Sequence, residues 1–164
     1  APILGELAGY GATDDAYHIT QPSEGGKGAI KAMGLAIQDA SLNPNDINYI
    51  NAHGTSTPFN DKTESAAISS LFGEHTAHLR ISSTKSMVGH ALGASGALEA
   101  VVCVKAINEN IAPPTINYDH KDPECTLNYV PNNAEKTQIN AAMSNSFGFG
   151  GHNAVIVFKK WGND

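Results

Sequence analysis

Cysteine and positive charge are both scarce in this sequence, and each shortage removes a class of protein. Two cysteines in 164 residues are too few for a disulfide scaffold and point to a reducing compartment, the cytoplasm being the simplest. Ten lysines and arginines stand against sixteen aspartates and glutamates, for a formal charge of −6. Such a balance offers no basic stripe for a nucleic acid, and an acidic partner would need a local basic patch. No apolar run approaches the roughly 20 residues that span a bilayer, and no charged, then apolar, leader opens the chain. Repeats, low-complexity tracts and internal linkers are missing too. What remains is an ordinary composition, 41% hydrophobic, and a length that suits one domain with a real core. The opening "APILGELAGYG" reads as a strand, which suits a chain that starts inside a longer protein and suits equally the removal of an initiator Met before Ala1.

Strand and helix signals alternate. Residues 3–10 are strand-like, and Ile30, Met33, Leu35, Ala36 and Ile37 fall at helical spacing within 28–40. "INYINA" (47–52) is a short strand after the turn "NPND". In "DKTESAAISSLFG", Asp61 and Glu64 have capping-box spacing and Gly73 is placed to stop the helix. "LRISS" gives another strand, and residues 90–108 form the most apolar helix, ended by "APPTIN". The strands "TLNYV", "NAAMSNS" and "NAVIVFKK" follow, the last ones suited to a hairpin. Alternation of this kind predicts a layered α/β domain with a mostly parallel sheet.

Reactive groups in such sheets gather where strands end and helices begin, and three stretches fall there. In "NAHGTSTPFND" (51–61), Gly54 lets the backbone turn while His53 projects, and Thr55, Ser56 and Thr57 offer three hydroxyls; a polar loop with a satisfied histidine reads equally well. "KSMVGHALGASG" (85–96) puts Lys85 and His90 at a helix entrance, where the positive helix end favours a neutral imidazole. Its glycines could cradle a phosphate, but their spacing matches neither the dinucleotide nor the P-loop pattern. "NSFGFGGHN" (145–153) sets four glycines around two phenylalanines, either a mobile aromatic door or a tight hairpin with two core rings.

Taken together and in this order, HGTST, K-x4-H-x2-G-x2-G and NSFGFGG resemble the C-terminal half of the β-ketoacyl-[acyl carrier protein] synthases, with the elongating synthase II type nearest. The likeness extends over essentially the whole chain, from "DAYHIT" to "GGHNAVIVFKK". It implies half of a thiolase-like fold, a mixed, mostly parallel five-stranded sheet with helices on both faces, whose missing N-terminal half carries the cysteine nucleophile. His53 and His90 would then be the paired donors to the thioester oxygen of a malonyl group during decarboxylation. Lys85 would be the lysine beside the active site, and Glu64 the acid paired with it. Thr55 and Thr57 would hold the pantetheine arm. Phe149 would be the gate, its backbone N–H adding to the oxyanion hole, with Phe147 and Gly150 lining the substrate side. The resemblance also implies acyl carrier protein as partner, a homodimer when complete, no required cofactor, and a monovalent cation near Asn51, Glu99, Ser144 and Asn145.

Glu99 is the only acid between Ala91 and Val104. On a continuous helix it would fall on the face opposite His90, a poor place for a general base. Cys103, in "EAVVCVKAI", reads as a small core hydrophobe, and the acids of "DPE" before Cys125 would raise its thiol pKa. Neither looks like a nucleophile. His18, His75, His78, His120 and His152 are scattered and read as surface or structural, with His75 and His78 too isolated for zinc. Two readings therefore stand, a catalytic half that needs its first half for activity, and a non-enzymatic thiolase-fold partner or chain-length subunit; retention of both histidines, the lysine and the glycine-rich loop favours the former.

Overall fold

Strand β1 (Glu6–Asp14) is the first regular element of the computed structural model, which describes residues 1–162. It is followed by α1 (Lys27–Asp39), β2 (Tyr49–Asn51), α2 (Pro58–Phe72), β3 (Arg80–Ser82) and the one-turn helix α3 (Lys85–Val88). Helix α4 (Ser95–Glu109), the two-residue strands β4 (Ile111–Ala112) and β5 (Glu135–Lys136), β6 (Ala141–Phe147) and β7 (His152–Lys159) complete the order. Five strands form one sheet in the order β1-β7-β6-β2-β3, while β4 and β5 pair separately.

The sheet is mixed, as expected, but its parallel character is confined to one half. β2 runs parallel to both β3 and β6, whereas β6–β7 and β7–β1 are antiparallel. The expected terminal hairpin is β6–β7, with Asn145 opposite Val155. Helices cover both faces, and alternate residues of a strand enter different cores. Ile50 and Met143 point to a cluster with Met33, Ile37 and Ile68 from α1 and α2; their neighbours Tyr49 and Ala142 join Cys103 and Ile107 of α4. This two-sided cover explains why β6 is buried continuously from Ala141 to Asn145. The parallel strands β2, β3 and β6 deliver their carboxyl ends to one edge, and each of the three motif stretches follows one of those ends.

Three local expectations are corrected. "TLNYV" is not a strand: Asn128 Oδ1 accepts the Val130 N–H at 2.9 Å, and Val130 takes φ 49°, so the chain turns instead of extending. It meets the sheet edge through the Asn128 carbonyl, which accepts from Ile81 N at 3.0 Å. The long apolar helix starts at Ser95 rather than residue 90, because Gly89 (φ 74°) and Leu92 (φ 51°) interrupt the right-handed backbone before it. Finally, α2 starts earlier than Asp61. Thr57 is its N-cap, Pro58 follows at the first helical position, and the Thr57 hydroxyl accepts from Asn60 N at 3.4 Å.

Helix α1 lies so close to β1 that Gly9 and Gly11 are structural necessities. A Cβ at Gly11 would stand 2.1 Å from the Ala32 carbonyl oxygen and 2.7 Å from Ala36 N, both backbone atoms that cannot swing away. Gly11→Ala is therefore expected to lower the stability of the intact protein by about 1–3 kcal/mol, the usual cost of overpacking. A urea midpoint unchanged by the substitution would contradict the close approach.

Candidate functional site

Strand β2 ends in Asn51 and releases the chain at Ala52, His53 and Gly54. Gly54 has φ 39°, and a Cβ there would meet Ser83 Cβ at 2.5 Å, so only glycine turns here without displacing the loop after β3. Ser83 secures the crossing by donating its hydroxyl to the Gly54 carbonyl at 2.6 Å. Glu64, buried on α2, holds the turn from the other side. Its carboxylate accepts from His53 N and Gly54 N, both at 2.9 Å, from Asn145 Nδ2 at 3.1 Å and from Asn60 Nδ2 at 3.2 Å. Burial raises the Glu64 carboxyl pKa, and these four donors pull against it.

Glu64 is thus not the partner of Lys85, as the resemblance implied. Lys85 Nζ bonds to Glu99 Oε1 instead, in an ion pair whose members are only 8% and 2% exposed. The 14-residue spacing crosses the kink at Gly89–Leu92, and this hides the pair from any helical periodicity. Burial raises the Glu99 pKa against the pull of the Lys85 ammonium.

The structure brings His53 and His90 together, with ring centroids 5.7 Å apart and planes at 85°. Phe147, at the end of β6, tilts against His53 at 5.8 Å. The His53 pKa falls from the usual 6.5 to about 3, through burial first, then the positive charge of Lys85, then His90. A neutral ring with one N–H is the species present at neutral pH. His90 sits not in the first turn of α4 but in the exposed bend before it. There Leu92 N donates to His90 Nδ1 at 3.2 Å, and Ser95 Oγ lies 3.0 Å from the same atom. Ser95 carried no signal in the sequence beyond its place at a helix entrance.

A cleft of about 640 Å³ is lined in part by Gly54, Thr55, Lys85 and His90. Thr55, which lines it, shares a hydroxyl–hydroxyl bond of 3.0 Å with Thr57. Phe149 is 76% exposed on a turn in which Gly150 and Gly151 take φ 82° and 91°, and Gly150 N donates to the Ile19 carbonyl at 2.7 Å. Asn51, Glu99, Ser144 and Asn145 are all buried, with Asn51 and Ser144 in register on adjacent strands. Three of their oxygens, Glu99 Oε2, Ser144 Oγ and Asn145 Oδ1, have no hydrogen-bond partner. Unsatisfied buried hard oxygens are the donors a small cation needs, so these residues fit one. Among the described residues, no group of three or more His, Cys, Asp or Glu side chains could hold a metal ion.

Neither cysteine has an activating environment. Cys103 is fully buried on α4, its thiol donating to the Met143 carbonyl at 3.7 Å, and burial together with Glu99 pushes its pKa far up. Burial also raises the Cys125 pKa; of the nearby acids Asp122 and Asp61 add to this, while Glu124 is engaged with Lys62. His75 spends Nε2 on the Ile47 carbonyl at 2.8 Å, His18 Nδ1 accepts two backbone N–H groups, and His152 lies 3.2 Å from Asp14 on the surface.

The depressed His53 pKa has a pH signature. The unfolded ring binds a proton near pH 6.5 that the native ring refuses until about pH 3, so this contribution is full above pH 6.5 and is lost as pH falls below it. The full linkage slope is ~1.4 kcal/mol per pH unit, which partial exposure reduces to about 1. In urea titrations of the intact protein between pH 6 and 4, wild type should lose about that much per unit relative to His53→Gln. Parallel curves would contradict a buried neutral His53.

Comparison with known proteins agrees with this geometry. The family described as "Beta-ketoacyl synthase, C-terminal domain" matches residues 4–119. The 3-oxoacyl-[acyl-carrier-protein] synthase 2 proteins of Synechocystis sp. and Staphylococcus aureus are each 53% identical to the chain over 161 residues, or 98% of it. The chain spans only 39% of the length of these relatives. Among solved structures, a β-ketoacyl synthase from Burkholderia phymatum is 42% identical with a TM-score of 0.91, covering 98% of this chain and 38% of its own. A type II polyketide acyl-carrier protein in complex with its ketosynthase gives 42% and 0.94 over 98% of this chain and 39% of the matched one. With half a thiolase-like ketosynthase in its fold and the family's motifs gathered at one sheet edge, the chain belongs to the β-ketoacyl synthase family, as its C-terminal domain.

Proposed function

We propose that this chain is the electrophilic half of an elongating β-ketoacyl-[acyl carrier protein] synthase of fatty acid synthesis, complete only with an N-terminal half that supplies a cysteine nucleophile. The observation that carries the reading is the pair His53 and His90, two rings 5.7 Å apart at the edge where β2, β3 and β6 end. In the reaction, the bond between the malonyl carboxylate and the methylene carbon breaks and CO2 leaves. Its electron pair passes into the thioester, leaving an enolate oxygen. Two N–H donors aimed at that oxygen stabilise the charge as it develops, each worth about 3 kcal/mol in a preorganised site. The enolate carbon then attacks the acyl thioester on cysteine, a carbon–carbon bond forms, and the thiolate departs.

Other groups take supporting roles. Glu64 holds His53 through its backbone, and burial, reinforced by the positive charge of Lys85, keeps the His53 ring neutral. Thr55 and Thr57 would bind the pantetheine arm of acyl carrier protein, and a neighbour described as an acyl-carrier protein with its ketosynthase supports that partner. Phe149, exposed on its glycine turn, would gate access and lend its N–H to the oxyanion hole, with Phe147 and Gly150 on the substrate side. A monovalent cation held by Asn51, Glu99, Ser144 and Asn145 would supply counter-charge to the buried carboxylate. The complete enzyme would be a homodimer, and its free cysteines suit the cytoplasm.

A second reading, a chain-length subunit without catalysis, draws support from the ketosynthase/chain length factor among the neighbours, at a TM-score of 0.93. The aligned histidines favour the enzyme. In the intact enzyme, His53→Ala or His90→Ala should suppress malonyl decarboxylation by about 100-fold or more while acyl transfer to cysteine persists. Equal loss of both steps, or of neither, would refute the assignment.

The chain alone should accept no acyl group, since both its thiols are held protonated. Leu92, Leu98 and Val101 form an exposed apolar stripe along the lead-in and outer face of α4, next to His90, and would meet the absent half. Intact-mass analysis after incubation with an acyl-carrier thioester checks this. Stoichiometric acylation of the lone chain would show that Cys103 or Cys125 is the nucleophile after all.

A further inference from the structure

Ser95 opens α4 and is only 6% exposed, yet its hydroxyl is not a helix cap, since no side chain caps that helix. Its oxygen instead accepts the Ala91 N–H at 2.9 Å and lies 3.0 Å from His90 Nδ1. The direction of the second bond follows from its neighbour. Leu92 N–H, which can only donate, also points at Nδ1, at 3.2 Å. Nδ1 must therefore be the acceptor, and the single proton of the neutral ring resides on Nε2. With one lone pair of Ser95 taken by Ala91, its own O–H is left to donate to Nδ1.

We infer that Ser95 is a positioning residue for His90: its hydroxyl donates to Nδ1, and with Leu92 N–H it holds the ring in the tautomer that carries hydrogen on Nε2. The need for such a support lies in the backbone. Residues 89–94 follow no long helix, Leu92 adopts φ 51°, and His90 itself is exposed, so surrounding side chains do little to fix the ring. Ser95 is the point at which this bend joins the rigid helix, whose Glu99 one turn further on is anchored to Lys85. A donor placed by that helix transfers its rigidity to the imidazole.

This inference rests on the proposed role of His90, and its test separates the two. In the intact enzyme, Ser95→Ala should lower kcat for malonyl decarboxylation by about three- to tenfold, the worth of one neutral hydrogen bond. KM for the malonyl thioester and the rate of cysteine acylation should stay near wild type, the latter reporting that the fold is intact. Ser95→Thr, which keeps the hydroxyl, should restore most of the loss. Independently of catalysis, 15N spectra of histidine-labelled enzyme, with the His90 signals assigned by His90→Ala, should show an Nε2–H tautomer in wild type, and in Ser95→Ala the Nδ1 signal should move downfield as one of the two hydrogen bonds it accepts is lost while Leu92 N–H remains. Unchanged kcat and an unmoved Nδ1 signal in Ser95→Ala would overturn the inference, as would a wild-type ring protonated on Nδ1. Decarboxylation that survives His90→Ala would overturn the functional reading instead, leaving the tautomer spectra to decide the role of Ser95.

Discussion

A buried ammonium beside a buried carboxylate, Lys85 against Glu99, is the constraint on which the site depends. Removing either partner would leave an uncompensated buried charge, at a cost of about 3–5 kcal/mol. The pair spans the bend that carries His90, joining α3 to α4, so the position of that bend is fixed from both ends. It also places a positive charge close enough to His53 to depress its pKa, next to burial the largest influence on that ring. One ion pair thus bears on both histidines, the first through electrostatics and the second through geometry.

The second buried acid works differently. Glu64 faces four N–H donors and, among the described residues, forms no ion pair, and through His53 N and Gly54 N it fixes the backbone turn from which the imidazole projects. Asn145 links this clamp to β6, whose end carries Phe147 against the same ring. Burial raises both carboxyl pKa values, and each acid is held by groups from a different element. The site is in this sense assembled by the sheet. Three parallel strand ends supply the residues, and two acids on the covering helices tie the loops together.

Much of this was legible in the sequence because glycine and histidine carry position-specific meaning. Gly54 marked the turn after β2, and the run from Phe147 to Gly151 marked the loop between β6 and β7; both lie where the periodicity placed them. Helix α1 and the terminal hairpin followed from apolar spacing alone. Two of the errors share a cause, a backbone kink that leaves no trace in the periodicity. Lys85 finds Glu99 rather than Glu64 because Gly89 and Leu92 redirect the chain between them, and the same kink removes His90 from the helix expected there. Asp61 and Glu64 have the spacing of a capping box, but Thr57 and Pro58 offer a better start one turn earlier, which frees Glu64 to face inward. At "TLNYV" the apolar pattern was real, since Val130 is fully buried, yet an asparagine turn took precedence over strand propensity.

The central claim is that His53 and His90 act as two neutral donors on one oxygen. A crystal structure of the intact enzyme with a malonyl thioester analogue that cannot lose CO2 tests it most directly. The account predicts the thioester oxygen within about 3.2 Å of a ring nitrogen of each histidine, with Lys85 still bound to Glu99. An analogue whose oxygen contacts neither ring, or contacts Lys85 in their place, would contradict it.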